Sequence, residues 1–312
     1  MEILKNPNYD FLGKAKIFVP LSVVLFLASI GYLVLHKIPY GVEFAGGTQL
    51  IVKFTSTPQI DRIRDVVEKT SPGSVIQTFD DPAKNQVLIR LPGAQSEEAA
   101  ADLTGPAERV LAGLARDYVA NPVRESSSEI VGPIVGAELR RKAVQLTLFG
   151  LLFQLIYIGF RFGGAVWGAA ATIAVFHDVI ITLGLLVLCG YEVTLNVIAA
   201  LLTLVGYSVN DTIVIFDRVR ENLRHRRKDS LAKIINDSVN QTLSRTLISN
   251  GTTFLAVLGL YLFGGEVLRG FGFAMVVGIL IGTYSTVYIA SPIVVWWQGL
   301  RKDRRPAARA AL

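Results

Sequence analysis

Charged residues stand inside stretches of the sequence that are otherwise apolar enough to cross a membrane. Asp178 and Asp211 are acidic residues of this kind, and Arg245 is a basic one. A charge in the middle of a helical span costs about 2.5–3.5 kcal/mol on insertion scales, so each needs a partner or a function. Burial and a neighbouring cation change the proton affinity of a carboxylate in opposite directions. Uptake and release of a proton is therefore the chemistry that these residues could support.

Two interpretations of Asp211 and Arg245 stay open from the residues alone. Asp211 lies about 7 Å from the inner end of its span, and Arg245 lies at comparable depth in the next span. They could form an ion pair, or Asp211 could be hydrated; alternatively, Asp211 could exchange a proton as water reaches it from alternate sides. Asp178 lies nearer the midplane and should be protonated or hydrogen-bonded. His177 beside it is more typical of a packing or hydrogen-bonding partner.

Six segments are long enough to hold these residues in a bilayer, which needs about 20 mostly apolar residues per helix. The predicted spans are 17–35, 143–160, 166–188, 194–216, 243–263 and 270–297. The polar stretch between the first two spans is too long for a loop. The sequence therefore predicts an α-helical integral membrane protein with six transmembrane helices and one further domain.

The composition supports a membrane protein without a bound cofactor. Of the 312 residues, 51% are hydrophobic and 18% are charged, whereas soluble domains carry about 25% charged residues. Cys189 is the single cysteine, and His36, His177 and His225 are far apart in the chain, so neither a disulfide nor a metal cluster is expected. The sequence contains no G-x-x-x-x-G-K-[ST] phosphate loop. No cofactor and no enzyme activity are predicted.

Basic residues predict the side of the membrane on which each segment lies. They concentrate before the first span, after the fourth span and in the C-terminal tail, and the opposite loops carry almost none. By the positive-inside rule, both termini are cytoplasmic and the large domain is periplasmic or extracytoplasmic. The predicted division is a cytoplasmic N-terminus at 1–16, a first helix at 17–37, the extracytoplasmic domain at 38–140, helices 2–6 at 141–297 with a basic cytoplasmic loop at 217–242, and a basic tail at 298–312.

Two local features each have an alternative interpretation. The first apolar segment follows Lys14 and Lys16 as a signal peptide would, but its length and the lack of a small-x-small cleavage pattern favour a retained anchor. The basic run RHRRK at 224–228 is more typical of a topology signal that contacts lipid headgroups than of a nucleic-acid site. Membrane lipids are therefore expected partners, and nucleic acid is not.

The domain between the first two spans has the pattern of an α+β fold. Strand-forming segments are predicted at 48–54, 75–79, 86–91 and 123–131, and helical spacing follows Pro58 and recurs at 97–118. The order β-α-β-β-α-β is that of a ferredoxin-like unit. The domain contains neither His nor Cys, so binding is its expected task. Gly46 and Gly47 are interpreted as a tight turn into the first strand.

Four motifs resemble segments of one known family. SVNDTIVIFDRVREN at 208–222 is similar to the signature of the SecF family of the bacterial Sec protein-export machinery. The other three, in the expected order, are GVEFAGGTQL at 41–50, HDVIITLG at 177–184 and NQTLSRTLISNGTT at 240–253. The resemblance covers nearly the whole chain. Glu43 stands where that family usually has Asp, and Ala45 stands where Thr is common.

The resemblance implies half of a fold of the resistance-nodulation-division superfamily, completed by a SecD partner around a pseudo-twofold axis. It implies an auxiliary subunit of the Sec translocase in the bacterial inner membrane, which contacts SecD, the Sec channel complex and the translocating preprotein. Proton-motive force would promote translocation and release at the outer face. By the same likeness, Asp211 is the proton-carrying acid of a relay with Arg245. The supporting intramembrane polar residues would be Asp178, Asn210, Thr246 and His177.

Two other functions compete with this one. A structural subunit could stabilise the channel or gather partners without moving protons, and Asp211→Asn separates the two because only proton-coupled export should lose its gradient dependence. A small-molecule exporter of the same superfamily generally fuses two halves and carries two large outer domains, whereas this chain has six predicted spans and one such domain. The sequence therefore favours protein export.

Overall fold

The computed structural model describes residues 7–79, 82–91, 104–226 and 228–297. Within these residues, six helices are long and apolar enough to cross a membrane. In chain order the described helices are α1 (Phe11–His36), α2 (Val42–Ala45), α3 (Ile60–Thr70), α4 (Gly105–Asp117), α5 (Pro133–Arg161), α6 (Ala165–Leu188), α7 (Leu195–His225), α8 (Leu231–Phe263) and α9 (Glu266–Ser285). The long helices α1 and α5 to α9 coincide with the six predicted spans, which confirms a multi-pass helical membrane protein.

Two of these helices extend beyond the predicted spans where basic residues concentrate. α7 continues to His225 and α8 begins at Leu231, so most of the predicted basic loop 217–242 is helical. Asn222 Nδ2 of α7 donates to Ser238 Oγ of α8 at 2.8 Å. Because these polar side chains pair with each other, both helices continue past the apolar stretch before the chain turns.

The start of α1 is held by side chains of α8. The side-chain Oδ1 of Asn236 accepts a hydrogen bond from the Phe11 N–H at 2.9 Å. Asn240 accepts from the Tyr9 N–H and donates to the Tyr9 carbonyl oxygen, both at 2.8 Å. The first N–H groups of a helix have no acceptor within their own helix, so α8 supplies one here. Of the predicted termini, residues 1–6 and the tail 298–312 lie outside the described residues.

The last span contains a break in regular α-helical hydrogen bonding. A π-helical segment, Thr286–Ala290, follows α9, and the helix then continues to Trp297. Pro292 lies just beyond this segment; proline has no N–H, and its ring crowds the carbonyl four residues earlier. Ser291 Oγ donates instead to the Thr286 carbonyl oxygen at 3.0 Å. π-Helical segments occur often at functional sites, and this one adjoins buried polar residues.

The polar stretch between α1 and α5 contains a four-stranded antiparallel sheet. Its strands are β1 (Gly47–Phe54), β2 (Val75–Phe79), β3 (Gln86–Leu91) and β4 (Val123–Val131), in the order β2-β3-β1-β4. With α3 after β1 and α4 before β4, this is the predicted ferredoxin-like order, which is confirmed; we call residues 47–131 the α+β domain. Of the predicted helix 97–118, the part from Gly105 to Asp117 is observed, and residues 92–103 lie outside the described ones.

The core of the α+β domain lies between the sheet and its two helices. Along β1, the side chains of Leu50, Val52 and Phe54 are buried and alternate with partly exposed ones, as on a strand that is covered on one face. The helix residues that pack against them are Ile63 and Val67 of α3 and Val110 and Leu114 of α4. Each such buried side chain contributes about 1.5–3 kcal/mol, so the domain has a hydrophobic core of its own.

The α+β domain is joined to the helical bundle at the loop between α6 and α7. Two backbone hydrogen bonds, of 3.0 and 2.8 Å, connect residues 39–41 to Val193 of that loop. Arg90 of β3 forms an ion pair with Glu192 of the same loop. Phe44 of α2 is 3% exposed and packs in the core of the bundle. A displacement of the domain therefore has to move this loop or break these contacts.

The predicted tight turn at Gly46 and Gly47 is observed between α2 and β1. The two residues have φ angles of 75° and 130°. Side chains with a Cβ rarely adopt such angles, so glycine is required for the chain to enter β1 directly from α2.

We expect Gly184→Ala to loosen the contact between α1 and α6. A Cβ atom at Gly184 would lie 2.6 Å from Ser29 Cβ, so one of the two helices would have to shift. Overpacking of this kind costs about 1–3 kcal/mol, and the free energy of unfolding in detergent should fall by that order. Gly31→Ala of α1, where a Cβ would meet no atom within 4 Å, is the control and should be neutral or slightly stabilising. Equal stability of the two variants would contradict this close approach.

The Glu129 carboxylate at the base of the α+β domain should make the stability of the domain depend on pH. Partial burial and, secondarily, the charge of Glu43 raise the pKa of Glu129 above its ordinary value. A raised pKa means that ionised Glu129 destabilises the fold, and this loss appears as the pH rises from the unfolded pKa through the folded pKa.

Glu129→Gln should therefore raise the thermal midpoint at pH 7, and the gain should vanish as the pH falls below about 4.3. The control is Glu125→Gln on the same strand, where Glu125 pairs with Lys53 at 3.2 Å and is 64% exposed. Thermal unfolding of both variants at several pH values measures the effect. A gain that is independent of pH, or equal in the two variants, would refute this assignment.

Candidate functional site

The Asp178 carboxylate joins three helices through hydrogen bonds in the middle of the bundle. It is 0% exposed. Its Oδ2 accepts from Ser208 Oγ of α7 at 2.6 Å and from Ser285 Oγ of α9 at 2.7 Å. Its Oδ1 lies 3.0 Å from Nδ1 of His177, its neighbour on α6. Buried polar groups are tolerated when their hydrogen-bonding capacity is met, and here hydroxyl groups of neighbouring helices meet it. The sequence predicts that Asp178 is either protonated or hydrogen-bonded, and the structure shows that it is hydrogen-bonded.

His177 extends this set of hydrogen bonds to a fourth helix. Its Nε2 lies 2.6 Å from Ser22 Oγ of α1, and both side chains are buried. Because the other ring nitrogen contacts Asp178, the imidazole bridges α1 and the carboxylate. His177 is thus a hydrogen-bonding partner, as the sequence favours.

Asp211 forms a second buried cluster with residues of α8 and α9. It is 3% exposed. Asn250 of α8 donates a hydrogen bond to Asp211 Oδ2, and its amide nitrogen also lies 2.6 Å from Thr283 Oγ1 of α9. A narrow crevice at this point, lined in part by Asp211, Asn250 and Tyr207, has a free volume of about 10 Å³. That volume is close to what a single water molecule needs.

The two clusters adjoin each other along α7 and α9. Ser208 and Asp211 are three residues apart and therefore lie on one face of α7. On α9, Thr283 of the second cluster and Ser285 of the first are two residues apart. Gly282 lies between the clusters: a Cβ there would be 3.3 Å from Ser208 Cβ and 3.6 Å from Asp178 Oδ2. We call the combined set the acid network; it consists of Ser22, His177, Asp178, Ser208, Asp211, Asn250, Thr283 and Ser285.

Arg245 lies on α8, the helix next to Asp211, but its side chain is exposed. None of the ion pairs among the described residues joins the two. The ion pair between Asp211 and Arg245 is therefore absent from this structure. The Asp211 carboxylate accepts a hydrogen bond from the Asn250 amide and does not contact the Arg245 guanidinium.

The two remaining predicted supporting residues lie outside the acid network. Asn210 is exposed on α7, on a different face from Asp211. Thr246 is 5% exposed, and its hydroxyl has no hydrogen-bond partner within the described residues. Within the part of the chain that the structure describes, neither side chain forms a hydrogen bond with a carboxylate, so their supporting role stays a prediction.

Sequence reasoning missed five members of the acid network: Ser22, Ser208, Asn250, Thr283 and Ser285. Single hydroxyl groups are common in membrane spans, where they also bond their own helix backbone, so they attract little notice. Asn250 gave the clearest signal, because an amide deep in an apolar span needs a polar partner. Only the packing of the helices shows which acid each residue contacts.

The acid network can bind and release protons only if water or a mobile cation reaches it. Carboxylates in membrane spans commonly serve as proton relays when they face the bundle interior, as both Asp178 and Asp211 do. Asp211 borders the crevice, whereas Asp178 is enclosed by its partners. Of the two acids, Asp211 is therefore the one that lines a space of about the size of a water molecule.

Comparisons with known proteins identify the family. The family described as protein export membrane protein SecD/SecF, C-terminal, matches residues 113–300. The chain is 41% identical to the protein translocase subunit SecF of Calditerrivibrio nitroreducens, over 97% of this chain and 98% of that protein. It is 38% identical to SecF of Koribacter versatilis, over 99% of this chain and 96% of that protein.

A solved structure shares the fold. SecDF from Thermus thermophilus, described as a translocon-associated membrane protein, matches with a TM-score of 0.79 at 37% identity. The match covers 94% of this chain and 39% of that chain, so the chain spans about two fifths of the SecDF length. The fold class is therefore confirmed as a membrane protein of the resistance-nodulation-division type. Within that class, the chain belongs to the SecF family of protein translocase subunits.

We expect Asp178→Leu to destabilise the protein more than Asp178→Asn does. Leucine leaves His177, Ser208 and Ser285 without their common partner, and each unsatisfied buried group costs about 1–3 kcal/mol. Asparagine keeps the shape and one acceptor oxygen. The free energy of unfolding in mixed micelles should therefore fall by at least about 1–3 kcal/mol more for the Leu variant. Equal losses would show that these hydrogen bonds do not stabilise the bundle.

Proposed function

We propose that this protein is an auxiliary subunit of the Sec translocase that works with a SecD partner and uses the proton-motive force. In this proposal, a proton moves through Asp211, and the α+β domain then promotes translocation and release of the preprotein at the outer face. Membership of the SecF family supports the translocase assignment. The SecDF structure supports the SecD partner, since this chain matches only one part of it.

The observation that carries the proton coupling is the environment of Asp211. The carboxylate is buried, its hydrogen-bond donor is the neutral Asn250, and the cationic Arg245 stands apart on the exposed face of α8. A proton on Asp211 removes the cost of burying an uncompensated charge, whereas approach of Arg245 stabilises the ionised form. Movement of α8 relative to α7 would therefore alternate between proton uptake and release.

The available energy is sufficient for a domain movement. One elementary charge that crosses about 100 mV releases roughly 2.3 kcal/mol. An energy of that size shifts a two-state equilibrium by well over about tenfold. One proton per cycle could thus change the preferred position of the α+β domain.

The proposed orientation follows from the distribution of basic residues. Both termini and the turn between α7 and α8 lie on the cytoplasmic side of the bacterial inner membrane, where their basic residues contact anionic lipid headgroups. The α+β domain then faces outward, where it can grip a preprotein that leaves the Sec channel complex. No part of this chain needs to bind a nucleotide for that cycle.

We expect Asp211→Asn to remove the proton-dependent part of export without disrupting assembly. The amide can still pair with Asn250 but cannot ionise. Preprotein translocation into membrane vesicles that contain the whole complex, with and without an ionophore, measures the effect, and copurification of SecD checks assembly. The variant should match the ionophore-treated wild type. The control is Asp217→Asn on the same helix, which should behave as wild type. The Asp217 side chain is 62% exposed and pairs with Arg161 at 3.7 Å.

The same experiment separates proton coupling from a purely structural role. A structural subunit would give an Asp211→Asn variant that assembles and exports with the full gradient dependence of the wild type. That result would contradict the proposed function. A variant that fails to copurify with SecD would instead assign Asp211 to assembly and would also contradict it.

A further inference from the structure

The first helix of the bundle lies at its edge, with one side packed on the other helices and most of its side chains directed outward. Of the residues of α1, only Ala15 and Ser22 are classed as buried. Beside it lies an apolar crevice of about 710 Å³, between α1, α6 and the end of the last span, and among the described residues His177 is the one ionisable side chain that lines it. α1 is thus held on one side only, whereas α6 is enclosed by its neighbours. Each specific contact of α1 therefore has a large share in setting its position.

Ser22 makes the central polar contact of α1. Its side chain is 0% exposed, and its hydroxyl lies 2.6 Å from Nε2 of His177. One turn earlier on α1, the Phe18 carbonyl oxygen accepts from the Tyr284 hydroxyl of α9 at 2.7 Å. Both contacts connect α1 to the helices that surround Asp178. At its far end α1 leads into residues 39–41, which bond Val193 beneath the α+β domain.

We propose that the Ser22–His177–Asp178 chain transmits the protonation state of the acid network to α1, and thereby to the α+β domain. Ser22 and His177 are in this view positioning residues, since they act through Asp178 and do not carry the transported proton. The inference rests on the proposed function and adds the route by which the intramembrane acids would act on the domain.

The chemistry of the imidazole gives this chain two arrangements. When Asp178 is ionised, His177 donates from Nδ1 to the carboxylate, and its Nε2 accepts from the Ser22 hydroxyl. When Asp178 carries a proton on Oδ1, that O–H donates to Nδ1, the imidazole proton is on Nε2, and Nε2–H donates to Ser22 Oγ. One added proton thus reverses both hydrogen bonds. The Ser22 hydroxyl is then free to donate to its own helix backbone, as serine does in membrane helices.

The geometry links Asp178 to the Asp211 cluster on two sides. Ser208, which donates to Asp178, lies one turn from Asp211 on α7. Ser285, the other donor, lies close in sequence to Thr283, which contacts the Asn250 amide. In this proposal, a rearrangement around Asp211 reaches Asp178 through its two serine donors. The titratable side chains that the packed helices bring to this chain are His177 and Asp178 of α6, Asp211 of α7 and Tyr284 of α9.

A double-mutant cycle on the SecD-containing complex in liposomes tests this route. Two spin labels, on Ser127→Cys of β4 and Arg224→Cys at the end of α7, report the distance between the α+β domain and the bundle in a Cys189→Ser background; both positions are exposed. The quantity measured is the change in the distance distribution caused by Asp211→Asn. This effect of Asp211→Asn is measured in three backgrounds: the labelled protein without a further substitution, the Ser22→Ala variant and the Ser29→Ala variant.

We expect Ser22→Ala to reduce this change to less than about half, because the two substitutions then act on one coupled chain. Ser29→Ala is the matched control on the same helix; Ser29 packs against Gly184 of α6 and should leave the change intact. A merely structural effect of Ser22 would move the domain equally with and without Asp211→Asn.

Two results would overturn the inference, and they differ in what they say about the proposed function. If Asp211→Asn moves the domain equally in the Ser22→Ala and unchanged backgrounds, the route through Ser22 is wrong and proton coupling stands. If Asp211→Asn leaves the domain in place in every background, both the route and the proposed function are wrong.

Discussion

The cost of placing an ionisable carboxyl group inside a membrane constrains the arrangement of the whole bundle. Asp178 and Asp211 are both buried, and each obtains hydrogen bonds from helices other than its own. Those helices have to approach closely for short hydroxyl and amide side chains to reach the acids. Gly282 permits that approach between α9 and α7. In the π-helical segment that follows α9, the Thr286 Oγ1 atom lies 3.2 Å from Thr212 Oγ1 of α7. Polar pairing thus fixes which helix faces meet.

The packing around the acids is uneven, and this unevenness suggests where the molecule moves. α6 is surrounded by its neighbours and carries Asp178, whereas α1 is mostly exposed and is tied at its start by Asn236 and Asn240 and at its centre by Ser22. The α+β domain has its own core and rests on the loop between α6 and α7. The bundle thus combines a well-packed centre with a helix at its edge, and the α+β domain contacts it through the loop between α6 and α7.

Much of this architecture could be predicted from the sequence because it depends on local patterns. Runs of apolar residues gave the six spans, and the alternation along β1 with the helical spacing after Pro58 gave the ferredoxin-like order. The extension of α7 to His225 was not predicted, since its last turns are polar and are held by Ser238 of the neighbouring helix. The π-helical segment likewise depends on how Pro292 is accommodated in three dimensions.

The candidate site was predicted only in part. Asp178 and Asp211 could be found because a charge in a span is conspicuous, and Asp178 does have the hydrogen bonds that its depth requires. Their partners could not be found, since one serine in a helix looks like another until the helices are packed. Arg245 is the main difference: its sequence position allowed an ion pair with Asp211, but the Asn250 amide takes that place.

The protonation of Asp211 inside the assembled membrane complex can be measured directly. Infrared difference spectra of the SecD-containing complex in lipid, recorded across a pH range and compared with Asp211→Asn, isolate the carboxyl stretching band of this one residue. We expect a band of the protonated carboxyl that appears and disappears with pH and that responds when Arg245 is replaced by alanine. A band that is constant across the pH range and unaffected by Arg245→Ala would show that Asp211 is a fixed structural group.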